Sequence, residues 1–265
     1  MNISIYQVDA FTDKLFGGNP AAVCPLDFWP EDHLMQSIAM ENNLAETAFF
    51  CKEGEDYRLR WFTPLVEVDL CGHATLASAH VIYEELGYTR ESITFQSKSG
   101  PLMVSRIENA TYLLDFPSDH ALRISDQSLV KSIASALGTE ILELWRGRDD
   151  YMAVVSSEKI IRTLNPDFRS LKKLDSRGLI VTSPGEELDF VSRGFFPQCG
   201  IDEDPATGSA HTVLTPYWAP RLKNNSLHAQ QISRRVGHFK CIYKGERTAL
   251  IGKAVSYLKG QITVG

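Results

Sequence analysis

Two stretches of this chain set titratable side chains around a glycine turn. In Asp69-Leu70-Cys71-Gly72-His73-Ala74-Thr75-Leu76-Ala77-Ser78-Ala79-His80, a carboxylate, a thiol and an imidazole fall within five residues. Gly72 lets the backbone come close to whatever lies above the turn. The small and apolar residues after it have helical spacing, and the first N–H groups of a helix favour an anion. Asp204-Pro205-Ala206-Thr207-Gly208-Ser209-Ala210-His211-Thr212-Val213-Leu214 has the same outline: an aspartate, a small-residue turn with glycine, Ser-Ala-His and a helix. Two such starts suggest one anion-binding site shared by two related halves.

A third candidate is Glu46, at the mouth of a strand among Leu44, Phe49 and Phe50. Partial desolvation there would raise a carboxyl pKa toward values useful for proton transfer. The same residue could equally be a salt-bridged or capping glutamate. His73 could act as acid and base or simply cap its helix. Cys71 could be a thiolate favoured by the helix start, or a small buried hydrophobe. Asp204, before Pro205, suits a turn or N-cap. Ser209 could bond a substrate anion or its own backbone. His73 with His80, and His211 with His228, lack metal-ligand spacing, and no cysteines are paired closely, so no metal is expected. Neither nucleotide-binding glycine pattern occurs, and there is no G-x-S-x-G elbow. Acid–base chemistry without a cofactor is what remains.

The elements that would position these groups alternate in type. Strands are expected at 3–11, 21–24, 46–51, 57–62 and 66–70, with a helix opening at Trp29-Pro30-Glu31-Asp32. The helix from Gly72 should run to about Leu86, where Gly87 stops it. Two strands follow within 93–107 and another at 112–116. The polar run 118–126 is the best domain boundary, dividing 1–117 from 118–254, with 255–265 as a candidate last strand of the first half. Helix 128–137, strands 141–145 and 151–155, helix 158–164 and strands 178–182 and 188–195 precede the second glycine turn. Its helix should reach about Trp218, followed by strands at 229–233, 239–243, 249–251 and 254–258. The 265 residues suffice for one large domain or two ordinary ones. A net charge of −6 gives no support to nucleic-acid binding. Five scattered cysteines fit a reducing compartment. The N-terminus does not read as a signal peptide and no segment is long enough to span a membrane, so a cytoplasmic protein is expected.

Taken in order, the motifs resemble those of the PhzF family, the phenazine-biosynthesis isomerase-like relatives of diaminopimelate epimerase and proline racemase. Phe16-Gly17-Gly18-Asn19-Pro20-Ala21-Ala22-Val23 resembles its GNPAAV turn, and Asn43-Leu44-Ala45-Glu46-Thr47 its NLSET segment. Cys71-Gly72-His73-Ala74-Thr75-Leu76-Ala77 resembles CGHATLA, and Glu203-Asp204-Pro205-Ala206-Thr207-Gly208-Ser209-Ala210 resembles EDPVTGSA. The resemblance implies an α/β (α+β) fold of two pseudo-symmetric halves, each a curved mixed sheet wrapped around a central helix, with the active site in the cleft between them. It implies a homodimer, no cofactor and a small carboxylated substrate. It places the acid–base glutamate at Glu46, with His73, Asp204 and Ser209 as partners, and substrate contacts at Asn19, Gly72, Thr207 and Gly208. Isomerisation by proton movement is the implied activity. A Cys71-dependent epimerase and a non-catalytic metabolite- or partner-binding protein stay open beside it. Two departures stand out. The second motif offers Ala206-Thr207-Gly208 and no thiol, which argues against a two-cysteine racemase. Gln231-Ile232-Ser233-Arg234-Arg235, a candidate substrate contact, leads to Val236-Gly237 where the family often has Gly-Gly, and this leaves the substrate's identity open.

Overall fold

A computed structural model describes residues 1–264. Gly265, the end of the expected strand at 255–265, lies outside the described residues. The chain forms β1 (Asn2–Ala10), β2 (Asn19–Leu26), α1 (Asp32–Asn42), β3 (Glu46–Glu53), β4 (Asp56–Phe62), β5 (Glu67–Val68) and α2 (Gly72–His80). A π-helical turn (Val81–Glu85) leads to β6 (Ser92–Ser97), β7 (Gly100–Glu108), β8 (Thr111–Pro117) and β9 (Leu122–Ile124). Then come α3 (Gln127–Leu137), β10 (Glu143–Arg146), β11 (Asp150–Val154), α4 (Glu158–Thr163), α5 (Phe168–Leu171), β12 (Gly178–Pro184) and β13 (Phe190–Phe196). The remainder is β14 (Ile201–Asp204), α6 (Gly208–Leu222), β15 (Ser226–Gln231), β16 (Gly237–Tyr243) and β17 (Arg247–Thr263). Two compact units result: Met1–Asp115 with the chain from Leu250 onward, and Phe116–Ala249.

In the first unit β1 pairs antiparallel with β2, β2 parallel with β3, and β3 antiparallel with β4. β4 runs parallel to β6, which continues antiparallel through β7 to β8. β17 pairs with β8 and with β1, so the ladder closes on itself. Closure removes exposed strand edges. The helix α2 packs on β1, β2 and β3, and every residue from His73 to His80 is buried. A helix without a polar face belongs inside a sheet, and Ala74, Ala77, Ser78 and Ala79 are small enough to allow it. Its hydroxyls are satisfied locally: Ser78 Oγ donates to the Ala74 carbonyl at 2.8 Å. A separate cluster of Met35, Ile38, Ala39, Phe49 and Phe62 seats α1 against β3 and β4.

In the second unit β9 pairs with β10, β10 with β11, β11 parallel with β12, and β12 antiparallel with β13. β13 then takes β14 antiparallel and β15 parallel, and β16 pairs antiparallel with β15. Alternation along a strand sends successive side chains to opposite faces. Leu179 and Val181 join Ile133, Leu137, Ile161 and Leu171 of the three short helices. Thr182, on the opposite phase of the strand, accepts from Trp218 Nε1 of α6 at 3.0 Å, and Trp218 stacks on Phe190. One face therefore carries α3–α5 and the other α6. Pro216 lies inside α6 and cannot donate to Thr212. The Asp119 N–H donates to that carbonyl instead, at 3.0 Å.

Several expectations change. The polar run 118–126 contains β9, whose Leu122 is 74% exposed, so no apolar alternation marks it. α5 and β14 are too short to leave a periodic signature. The helix expected to reach Leu86 widens into a π turn after His80. The two late strands are one, because Gly252 continues the strand rather than ending it. A Cβ on Gly252 would lie 2.4 Å from the Phe11 ring, so this glycine serves a close approach. The two Ser-Ala-His triplets are not equivalent either: His80 ends α2, while His211 lies in the first turns of α6.

Candidate active site

Glu46 is the first residue of β3, paired with Ala21 of β2, and His73 is the second residue of α2. The Glu46 Oε2 and His73 Nε2 atoms are 3.2 Å apart, with side chains 15% and 5% exposed. On the other side of the ring, Asn19 Nδ2 lies 3.1 Å from His73 Nδ1. An amide NH₂ can only donate, so Nδ1 accepts and Nε2 carries the hydrogen toward Glu46. Burial pushes the His73 pKa down to about 3. The carboxylate alongside would favour the imidazolium, but the ring lies wholly inside the protein and burial prevails, leaving it neutral. A neutral, buried imidazole thus stands beside one oxygen of Glu46.

Asn19, expected at the substrate, is itself fully buried and holds the histidine. Cys71 is also buried, at the N-cap of α2, with Sγ 3.5 Å from His73 Nδ1. Glu46, Cys71 and His73 offer ligand atoms within 4.8 Å of one another, a grouping of metal-binding size. The thiol and the carboxylate approach different nitrogens of the same ring, and the positive end of a helix dipole repels a cation. Both features favour proton chemistry over a metal at this point.

Neither α2 nor α6 has a side-chain cap or an acidic residue in its first turn. The contrast is with α3, α4 and α5, which are capped by Asp126, Ser157 and Asp167. In the second unit, Asp204 and Thr207 are both buried, and the Thr207 hydroxyl donates to Asp204 Oδ2 at 2.5 Å. Gln231 is fully buried and ties this turn together. Its Oε1 accepts from the Thr207 N–H at 2.8 Å, while Nε2 donates to the Asp204 carbonyl at 2.7 Å and to Thr207 Oγ1 at 3.0 Å. Ser233 Oγ donates to the Pro205 carbonyl at 2.8 Å. Gln231 and Ser233, within the segment 231–235 read as a candidate substrate contact, shape the turn between Asp204 and Gly208. Ser209 Oγ accepts from Arg177 Nη2 at 2.9 Å, and the same guanidinium grips Asp150. Neither Arg177 nor Asp150 carries a local sequence signal.

The Val236-Gly237 departure has a structural consequence. Gly237 lies against Ala206, where an added Cβ would come within 2.4 Å of the alanine methyl. Val236 has φ +45°, which a β-branched residue adopts only under strain. Val236→Gly should raise stability by roughly 0.5–1 kcal/mol, the relieved strain outweighing the extra freedom of the unfolded chain. A higher urea midpoint at unchanged slope checks this, and a lower midpoint contradicts it.

The family model of the phenazine biosynthesis-like proteins matches residues 8–260. The chain belongs to this PhzC-PhzF family. It is 49% identical over 262 residues to an uncharacterized isomerase of Pseudomonas aeruginosa, covering 99% of both chains. The crystal structure of a PhzF family protein from Enterococcus faecalis superposes with a TM-score of 0.93 at 45% identity, covering both chains completely. A hydroxyproline epimerase of Agrobacterium vitis matches with a TM-score of 0.67 at 9% identity, over 98% of this chain and 92% of that one. That likeness extends the PhzF fold to the epimerases and says nothing about chemistry. Within the PhzF fold, the sequence motifs expected at the site fall at the starts of β3, α2 and α6. No helix among the described residues is long and apolar enough to cross a membrane.

Proposed function

We propose that this protein is a cofactor-independent isomerase that moves a proton within a small carboxylated metabolite, with Glu46 as the acid–base group. The observation that carries this reading is the Asn19–His73–Glu46 cluster, in which a buried imidazole beside Asn19 sets its Nε2 3.2 Å from one carboxylate oxygen. The other oxygen of Glu46 removes a proton from carbon. The electron pair enters the conjugated system and charge builds on the substrate carboxylate. The N–H groups of Gly72 and His73, at the uncapped start of α2, stabilise that charge. The proton held on the Glu46 carboxyl exchanges with solvent, and Glu46 then returns a proton to another carbon, so the formula is unchanged and the carboxylate is regenerated. Gly208 and Ser209 are proposed to bind the substrate as well, with Thr207 beside them and Asp204 polarising it. The proposal includes a homodimer in the cytoplasm, by analogy with the family. Its support as an isomerase is the name carried by the Pseudomonas aeruginosa relative.

One observation favours a second reading. The 3.5 Å contact between Cys71 Sγ and His73 Nδ1 is a thiol–imidazole pair of the kind that activates a nucleophile or base. A single-thiol epimerase would use it. Parallel Glu46→Gln and Cys71→Ser variants decide between the two. Loss of proton exchange with Glu46→Gln alone supports the isomerase, and loss with Cys71→Ser alone supports the epimerase.

A further inference from the structure

The polar group that most shapes Ser209 comes from neither α6 nor the turn before it. Arg177 stands just ahead of β12. Its Nε donates to Asp150 Oδ1 at 3.0 Å, its Nη2 donates to Asp150 Oδ2, and the same Nη2 donates to Ser209 Oγ at 2.9 Å. Asp150 is buried, its side chain 3% exposed, so its charge requires this partner. The guanidinium also lies over the Phe196 ring, 5.3 Å from its centroid. That ring rests against Gly178 and Gly194, where added Cβ atoms would come within 2.2 Å and 2.7 Å of it. The arginine is therefore fixed by a carboxylate and by a pinned aromatic face.

We propose that Arg177, held by Asp150, is a positioning residue that turns the Ser209 hydroxyl into a donor toward substrate. The inference rests on the reading that Ser209 binds the substrate carboxylate. A guanidinium has no acceptor, so Ser209 Oγ must accept from it, and the single hydroxyl proton points away from Arg177 and Asp150. Without the guanidinium, the Asp150 carboxylate that shares Nη2 becomes the strongest nearby acceptor and draws the proton inward. Thr212 Oγ1 donates to the Ser209 carbonyl at 2.7 Å, so the backbone of Ser209 does not depend on Arg177. The fork geometry matters as well as the charge. A lysine ammonium is a point charge on a flexible stem and does not reproduce a planar fork serving both partners.

The test is binding of benzoate, a simple planar carboxylate, to the full chain by titration calorimetry. Ser209→Ala should raise the benzoate Kd about tenfold, the loss of one hydrogen bond to a charged group. Arg177→Lys should raise it by a similar factor, and the double variant Arg177→Lys with Ser209→Ala by no more than either alone. Arg177→Met combined with Asp150→Asn removes the buried charge together with its partner, keeps the test open should Arg177→Lys fold poorly, and should match Ser209→Ala. A thermal melt on each variant establishes folding. If Ser209→Ala weakens binding while Arg177→Lys binds as wild type, Arg177 is only a counter-charge for Asp150 and the inference is overturned. Additive losses in the double variant overturn it equally. If Ser209→Ala leaves the Kd unchanged, the reading of Ser209 itself falls and takes the inference with it. Benzoate binding involves no proton transfer at carbon, so these outcomes are separate from failure of the proton-transfer step.

Discussion

Glu46→Gln should lower turnover by roughly a thousandfold while leaving the fold intact. The amide has nearly the shape of the carboxylate and can take its place 3.2 Å from His73 Nε2. It cannot take a proton from carbon, and removal of a positioned acid–base group costs about 10²–10⁴ in rate. Glu46→Asp keeps the carboxylate but withdraws it from His73. A misplacement of about 1 Å can cost on the order of a hundredfold, so this variant should fall between the two. Steady-state turnover on any substrate found by exchange, with a thermal melt alongside, measures both. Turnover by Glu46→Gln within a few fold of wild type would remove the glutamate from the mechanism.

Acid should destabilise both units well before the carboxylates titrate. His73 and His211 are fully buried, and burial holds their pKa values down to about 3 and about 4. Burial also lowers His80. An unfolded histidine titrates near about 6.5. Above that value the rings are neutral in both states and stability does not depend on them. Below it the unfolded chain binds protons that the native chain does not, so stability falls as the pH drops from about 6.5 toward 4. The slope is on the order of 1 kcal/mol per pH unit for each fully buried ring. His73 belongs to the first unit and His211 to the second, so both should respond. Urea midpoints at pH 7.5 and pH 5.0 check this. A higher midpoint at the lower pH would contradict the buried, neutral rings. A second consequence follows for catalysis: no acid limb near pH 6.5 should come from His73, because the native ring does not ionise there.

The sequence disclosed those parts of the fold whose signal is local. Gly72 and Gly208 mark the two long buried helices because a glycine turn followed by small residues leaves few other structures. Glu46 stands out as a carboxylate among Phe49 and Phe50, but a capping or salt-bridged role stays open until the resemblance of 43–47 to the NLSET segment assigns it acid–base work. Most strands follow from alternation. What stayed hidden depends on partners distant in sequence. Asn19 reaches His73 across 54 residues, and Arg177 reaches Asp150 and Ser209 across 27 and 32. No local pattern announces those contacts. β9 exposes most of its length and so lacks the apolar rhythm of a strand. Gly252 looked like a strand end and instead makes room for Phe11. The segment 231–235 is a candidate substrate contact through its resemblance to the family's late segment. In the structure its Gln231 and Ser233 bond the Asp204–Gly208 turn, a role no local pattern announces.

The proton-transfer claim is tested most directly in deuterium oxide. The wild-type protein, incubated with a mixture of small carboxylated metabolites, is predicted to place deuterium on carbon in at least one of them, read by mass spectrometry, and Glu46→Gln is predicted to place none. Exchange that persists in Glu46→Gln, or a wild-type protein that binds a metabolite from the mixture and labels nothing, would contradict an isomerase built on Glu46.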